Sequence, residues 1–124
     1  WGYLLRDEGS AYDIAMQGID AALKSFEGIG EPTILEKRVL DFFGVDTHRQ
    51  LIDIFYNPPV SPSKIAGFGR DVIEIASQGD KAAVAIVDKA VKALVNYACR
   101  LIEKVGSEDS IIGMYGSGLC KIFD

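Results

Sequence analysis

The sequence predicts an α/β protein of which these 124 residues supply a single helix-rich segment with one or two short strands. Three observations carry that prediction. Apolar residues recur at helical spacing in successive stretches, each bracketed by capping residues at its start and a glycine or proline at its end. One of these stretches, residues 80–106, is long and carries a wide apolar stripe. Directly after it comes "DSIIGMYGSGL", a short β-prone run closing on Gly116-Ser117-Gly118. A strand followed by a glycine turn is how α/β proteins present backbone N–H groups to a ligand.

The elements follow in order. Ser10 is an N-cap with Asp13 three residues on, close to a capping box. Ile14, Ala15, Ile19, Ala22, Leu23 and Phe26 then repeat at helical spacing until Gly28 and Gly30. "TILEKRVLDFFG" opens on Thr33 and Glu36 in a T-x-x-E box and stops at Gly44. "THRQLIDIFY" repeats the device with Thr47 and Gln50 and halts before Asn57-Pro58-Pro59. "SPSKIAGFGRDVIEIASQG" starts with Ser61 as N-cap and Pro62 at the first helical position. Its interior Gly67 and Gly69 each cost about 1 kcal/mol of helix propensity against alanine. In residues 80–106 the stripe runs from Ile86 through Ala90, Leu94 and Ala98 to Ile102. Lys89, Lys92, Asn96, Arg100 and Glu103 lie mainly opposite, with Asp88 and Lys92 spaced as an i,i+4 pair. The partner strands of that helix are not in the chain, so its stripe is expected to be partly exposed or buried in a homodimer.

Bulk properties exclude several functions. A net charge of -5 with no basic run argues against nucleic acid, whose phosphates need clustered Lys and Arg. No apolar run approaches the roughly 20 residues that span a bilayer, and no basic-then-apolar leader is present. Two distant cysteines, Cys99 and Cys120, and one histidine cannot supply a zinc set, and read as thiols of a reduced, cytoplasmic protein. The missing initiator Met and the ending "CKIFD" suggest a piece of a longer protein. Neither a P-loop nor a triad is present.

Among single residues, His48 reads as a solvated helix-start histidine, Phe42, Phe43, Phe55 and Tyr56 as core between two short helices, and Cys99 as packing. "WGYLLRDEGSAY" has two readings. Trp1-Gly2 could hold a sugar ring while Asp7 accepts hydrogen bonds from hydroxyls. Alternatively, Asp7 and Glu8 only complement a helix dipole, at about 0.3–1 kcal/mol each, and composition alone favours this second reading. "YGSGL" is either a nucleotide-contacting turn or an ordinary one.

"WGYLLRDEGSAYDIA" resembles the W-G-x-x-x-G-D-E-G-S-A/G-Y-x-I-A segment of the N-acetylglucosamine kinases and the wider BadF/BadG/BcrA/BcrD ATPase family. The match is dense over residues 1–15 and looser beyond. It implies a ribonuclease-H-like lobe of the actin/hexokinase superfamily, with residues 1–124 belonging to the C-terminal lobe. Under it, Trp1, Gly2 and Asp7 would hold the sugar, and Gly116 and Ser117 would lie near the adenosine end of ATP. Glu8 and Ser10 would serve structure. Phosphoryl transfer from Mg-ATP to a sugar hydroxyl is implied for the parent, with no metal ligand in this segment. The phosphate hairpin and the aspartate base of such kinases lie upstream of the W-G segment, so the segment alone is expected to be inactive. Two departures stand out: Arg6 occupies a glycine position, which would strain the loop if φ must be positive, and "GSG" replaces the usual glycine pair. An ATPase that activates a CoA-dehydratase or reductase, and a non-catalytic sugar-binding regulator, are the alternative roles.

Overall fold

The computed structural model describes residues 1–106, 111–113, 115 and 116. Among the described residues there are five α-helices and one short 3₁₀ turn: α1 (Ala11–Phe26), α2 (Leu35–Phe43), the 3₁₀ turn His48–Gln50, α3 (Leu51–Tyr56), α4 (Pro62–Ser77) and α5 (Lys81–Val105). Helix α1 is central, packing chiefly on α4 and also on α2 and α5, while α4 packs in turn on α5 and α2.

The caps behave largely as local chemistry requires. Ser10 Oγ accepts from Asp13 N at 3.0 Å, and Asp13 Oδ2 accepts from Gly9 N at 2.9 Å, a box shifted one residue outward. Ser61 caps α4 at Lys64 N with Pro62 in the first turn, and Gly44 and Gly106 close α2 and α5 in the left-handed conformation. Gln50 Oε1 reaches back to the N–H groups of Asp46 and Thr47. The start of α2 departs from expectation. Ile34, not Thr33, is the N-cap residue, and Glu36 accepts from Ser25 Oγ at 2.7 Å instead of closing a box. Asp80 takes over that end: its carboxylate accepts from Ile34 N and Thr33 Oγ1, and also caps its own helix at Ala83 N.

The core joins Ile14, Ile19 and Ala22 of α1 to Leu35 and Val39 of α2, Phe68, Val72 and Ile75 of α4, and Ala83, Ile86 and Ala90 of α5. Two glycines explain how α1 and α4 approach so closely. A Cβ on Gly18 would collide with Val72 Cγ2, and one on Gly69 would sit 2.6 Å from the Ala11 carbonyl oxygen. The interior glycine of α4 that weakens its helix propensity is therefore what lets it cross α1.

Several readings of single residues are corrected. Phe42, Phe43 and Phe55 do pack together, with Phe68, at centroid separations of 4.9–5.3 Å, but Tyr56 is 78% exposed and outside that group. His48 is half-buried rather than solvated, stacked on Phe26 at 4.1 Å with Nε2 3.2 Å from the Glu36 carbonyl. Cys99 is exposed, so it contributes little packing. Asp88 and Lys92 form no ion pair. The stripe of α5 is buried at Ala83, Ile86 and Ala90; beyond them Leu101 and Val105 are 63% and 70% exposed. No strand occurs among the described residues, and Ile111, Ile112, Gly113, Tyr115 and Gly116 are not extended into one. The remainder of the expected strand, with Ser117 and Cys120, lies outside the described residues.

Candidate functional site

Before α1 the chain makes two successive turns. The N–H groups of Leu5 and Arg6 donate to Gly2 O at 3.2 and 3.0 Å, with Gly2 at φ +77°. Ser10 N then donates to Asp7 O at 3.0 Å, closing a four-residue turn. Gly9 is its third residue, with φ +84°, the position where such turns want glycine. Gly9 is buried against α5: a Cβ there would meet Leu94 Cγ at 2.9 Å and the Ala90 carbonyl oxygen at 3.0 Å. A backbone pressed onto a helix is thus the base on which the acidic pair stands. The sequence reading gave structural duty to Glu8 and Ser10 and missed Gly9, although a glycine third in a turn after two acids was a signal for it.

These turns bring Trp1, Arg6, Asp7 and Glu8 together with Tyr97 of α5 around one pocket of about 250 Å³. That is below the roughly 300–1,000 Å³ of pockets for drug-sized ligands, and suits a single small polar ring. Two of the three residues predicted to hold sugar, Trp1 and Asp7, line it; Gly2 does not, and contributes the turn that precedes Arg6. Trp1 is 93% exposed, with its ring free to cover a ligand.

The two carboxylates differ sharply in commitment. Glu8 accepts from Tyr97 Oη at 2.6 Å and from Arg6 Nε at 3.0 and 3.1 Å. The Tyr97 hydrogen bond, aided by Arg6, holds the Glu8 carboxyl below its ordinary range, and the same bond to Glu8 pushes the Tyr97 hydroxyl above its own. Arg6 is held above its usual value chiefly by Glu8. The Asp7 side chain, half-buried, takes no hydrogen bond or ion pair among the described residues. It is the carboxylate of the pair whose acceptor capacity the fold leaves unused. Arg6 imposes no strain, since no non-glycine residue among those described has positive φ. Tyr97 was not anticipated, because nothing near it in sequence points to a site.

At the nucleotide end, Gly116 is described and Ser117 is not. Gly116 has φ +130°, a conformation that side chains rarely adopt. Among the described residues no group of three His, Cys, Asp or Glu could hold a metal ion.

A larger cleft of about 560 Å³ lies between α1 and α3, walled by Met16, Ile19, Leu23, Phe26, Ile52 and Tyr56 among others. Its wall is predominantly apolar, and no residue of the N-terminal motif lines it. The smaller pocket brings Arg6, Asp7, Glu8 and Tyr97 together and is the one that the N-terminal motif lines.

Comparison with known proteins finds relatives over most of the chain. The chain is 35% identical over 118 residues to an N-acetylmuramic acid/N-acetylglucosamine kinase of Clostridium acetobutylicum, covering 95% of this chain and 39% of that protein. It is 31% identical over 107 residues to an N-acetyl-D-glucosamine kinase of Dictyostelium discoideum, covering 86% of this chain and 34% of that protein. The chain therefore spans between a third and two-fifths of the length of these curated relatives. The family model for BadF/BadG/BcrA/BcrD ATPases, whose fold is of the actin/hexokinase kind, matches residues 1–121. The chain belongs to the BadF/BadG/BcrA/BcrD ATPase family.

Proposed function

We propose that this chain is part of an ATP-dependent kinase acting on N-acetylglucosamine or a related amino sugar. The observation that carries the reading is the uncommitted Asp7 carboxylate facing the same pocket as the exposed Trp1 ring, beside a Glu8 whose bonds are already made. Its two similar relatives are named as kinases of such sugars, which supports the substrate class.

In this reading Asp7 accepts hydrogen bonds from neighbouring sugar hydroxyls, bonds that are charge-assisted and therefore short and strong. Trp1 lays its face on the apolar side of the ring, and the Gly9 turn fixes both against α5. Gly116 and Ser117 contact the adenosine. ATP, when bound with Mg carried on its phosphates, supplies the γ-phosphoryl group for transfer to a sugar hydroxyl. The role of this segment is to orient the accepting hydroxyl and, as the lobes close, to exclude water. The base that takes the hydroxyl proton lies upstream in the kinases this segment resembles, so the 124-residue chain alone is proposed to be inactive. A cytoplasmic location belongs to the same reading; no helix among the described residues is long and apolar enough to cross a membrane.

The test is ADP release by the full-length protein containing this chain, with Mg-ATP and a panel of hexoses and N-acetylhexosamines. ADP formation that depends on an amino sugar, and that falls at least tenfold in kcat/KM in Asp7→Asn, is expected. ADP formation independent of any sugar would sink the reading and favour an activator ATPase.

A further inference from the structure

Resting on the amino-sugar reading above, we infer that Tyr97 is a positioning residue of the pocket, orienting the Asp7 carboxylate by tying down the two residues that flank it. Nothing among the described residues holds the Asp7 side chain directly. Its neighbours, in contrast, are held. Arg6 Nε donates to both carboxylate oxygens of Glu8, at 3.1 and 3.0 Å, closing a ring of contacts around the Asp7 backbone. The Tyr97 hydroxyl donates to Glu8 Oε2 at 2.6 Å and accepts from the Arg6 guanidinium. A single oxygen carried by α5 therefore meets both arms of the ring.

An exposed ion pair alone is worth about 0–1 kcal/mol and fixes little. Attachment to the helix changes its effect. Ala90, Leu94 and Tyr97 stand at i, i+4 and i+7 of α5 and so share one face. Gly9 is pressed onto the first two, and Glu8 is bonded to the third. A loop seated at one point can still pivot about it. Two seats at adjacent residues, both on one rigid helix, remove the pivot: the Gly9 contact fixes the height of the loop over α5, and the Tyr97 bond fixes its direction. Tyr97 is 39% exposed, so its hydroxyl contributes direction rather than stability. Direction is what the pocket needs, because a hydroxyl that is to receive a phosphoryl group must be held in line with it. Glycine at position 6, as in the kinases this segment resembles, could not close such a ring.

The experiment uses the full-length protein containing this chain and two readouts, both without nucleotide. Calorimetric titration with N-acetylglucosamine reads the site, and amide nitrogen relaxation of the sugar-free protein reads the loop. Tyr97→Phe keeps the ring and deletes the hydroxyl. Its sugar Kd should rise about tenfold. The order parameters of Asp7 and Glu8 should fall below the rigid value of about 0.85, while those of Ala90 and Leu94 stay at it. Glu8→Ala, which removes the partner of that hydroxyl, should reproduce both changes. An unchanged Kd in Tyr97→Phe overturns the inference. So does a raised Kd with Asp7 and Glu8 still rigid, which makes Tyr97 a direct sugar contact, or a loss of order that extends along α5, which makes its role merely structural. A wild type that binds no sugar, with Asp7 and Glu8 loosened in Tyr97→Phe, overturns the amino-sugar reading and leaves the positioning role standing.

Discussion

Thr33 Oγ1 lies 2.9 Å from both carboxylate oxygens of Asp80, a residue 47 positions later that is also the N-cap of its own helix. Through this contact and the 2.9 Å bond from Ile34 N, one side chain satisfies the first exposed amides of both α2 and α5. Removing it should cost more than an ordinary cap. Asp80→Ala is expected to lose about 2 kcal/mol in urea denaturation, against about 1 for Ser61→Ala at the start of α4.

The same carboxylate sets a pH dependence. Burial alone would raise its proton affinity, but the bonds from Ala83, Ile34 and Thr33 outweigh burial and hold the carboxyl below its ordinary 3.8. A depressed folded value means that the stabilisation is complete above about pH 4 and is lost as pH falls through the folded value. Stability measured from pH 6 down to pH 2.5 should fall less steeply in Asp80→Ala than in the wild type; parallel curves would remove Asp80 from the account.

The glycines at the helix crossing make a graded set. Gly69→Ala forces a methyl to 2.6 Å from the fixed Ala11 carbonyl, and Gly18→Ala forces one into Val72. Each should destabilise by about 1–3 kcal/mol, since overpacking outweighs the gain of roughly 1 kcal/mol in helix propensity. Gly67→Ala meets only the Phe42 ring edge, at 3.3 Å, and should be near neutral. Equal costs at all three positions would show that the crossing is not sterically set.

Gly9 and Ser10 separate two contributions to the site. Gly9→Ala combines positive φ with contact on Leu94 and the Ala90 carbonyl, and should cost about 2–4 kcal/mol and weaken sugar binding by displacing Asp7. Ser10→Ala removes one cap bond, costs about 1 kcal/mol and leaves the turn in place. Sugar titrations on both variants, run well below their melting temperatures, distinguish a loop effect from a general loss of stability.

Tyr97→Phe deletes the main influence holding the Glu8 carboxyl low. Carboxyl-carbon NMR titration should find Glu8 shifted upward toward the ordinary glutamate range, while melting temperature changes little because the group is exposed. In Glu8→Gln the Tyr97 hydroxyl should move the opposite way, back down toward 10.0.

Where a structural decision rests on neighbouring residues, the chain could be read directly. Ser10, Ser61-Pro62, Gly44 and Gly106 mark helix ends because capping is settled within four residues. Thr33 looked the same and behaved differently, since its competitor, Asp80, arrives from another helix. Gly69 looked like a defect until α1 was placed against it. Of the site, Trp1 and Asp7 were legible only through resemblance to a family motif, as composition favoured a helix dipole. Tyr97 was not legible at all, for nothing in a helix face announces which loop will fold onto it.

The distance in sequence between Glu8 and Tyr97, 89 residues, has a consequence for how the protein is made. The motif of residues 1–15 leaves the ribosome before α5, but its seat on Leu94 and Tyr97 does not exist until most of α5 has been translated and has packed. The pocket is thus synthesised early and completed late, and a nascent chain halted before α5 carries every motif residue of the pocket yet has no pocket.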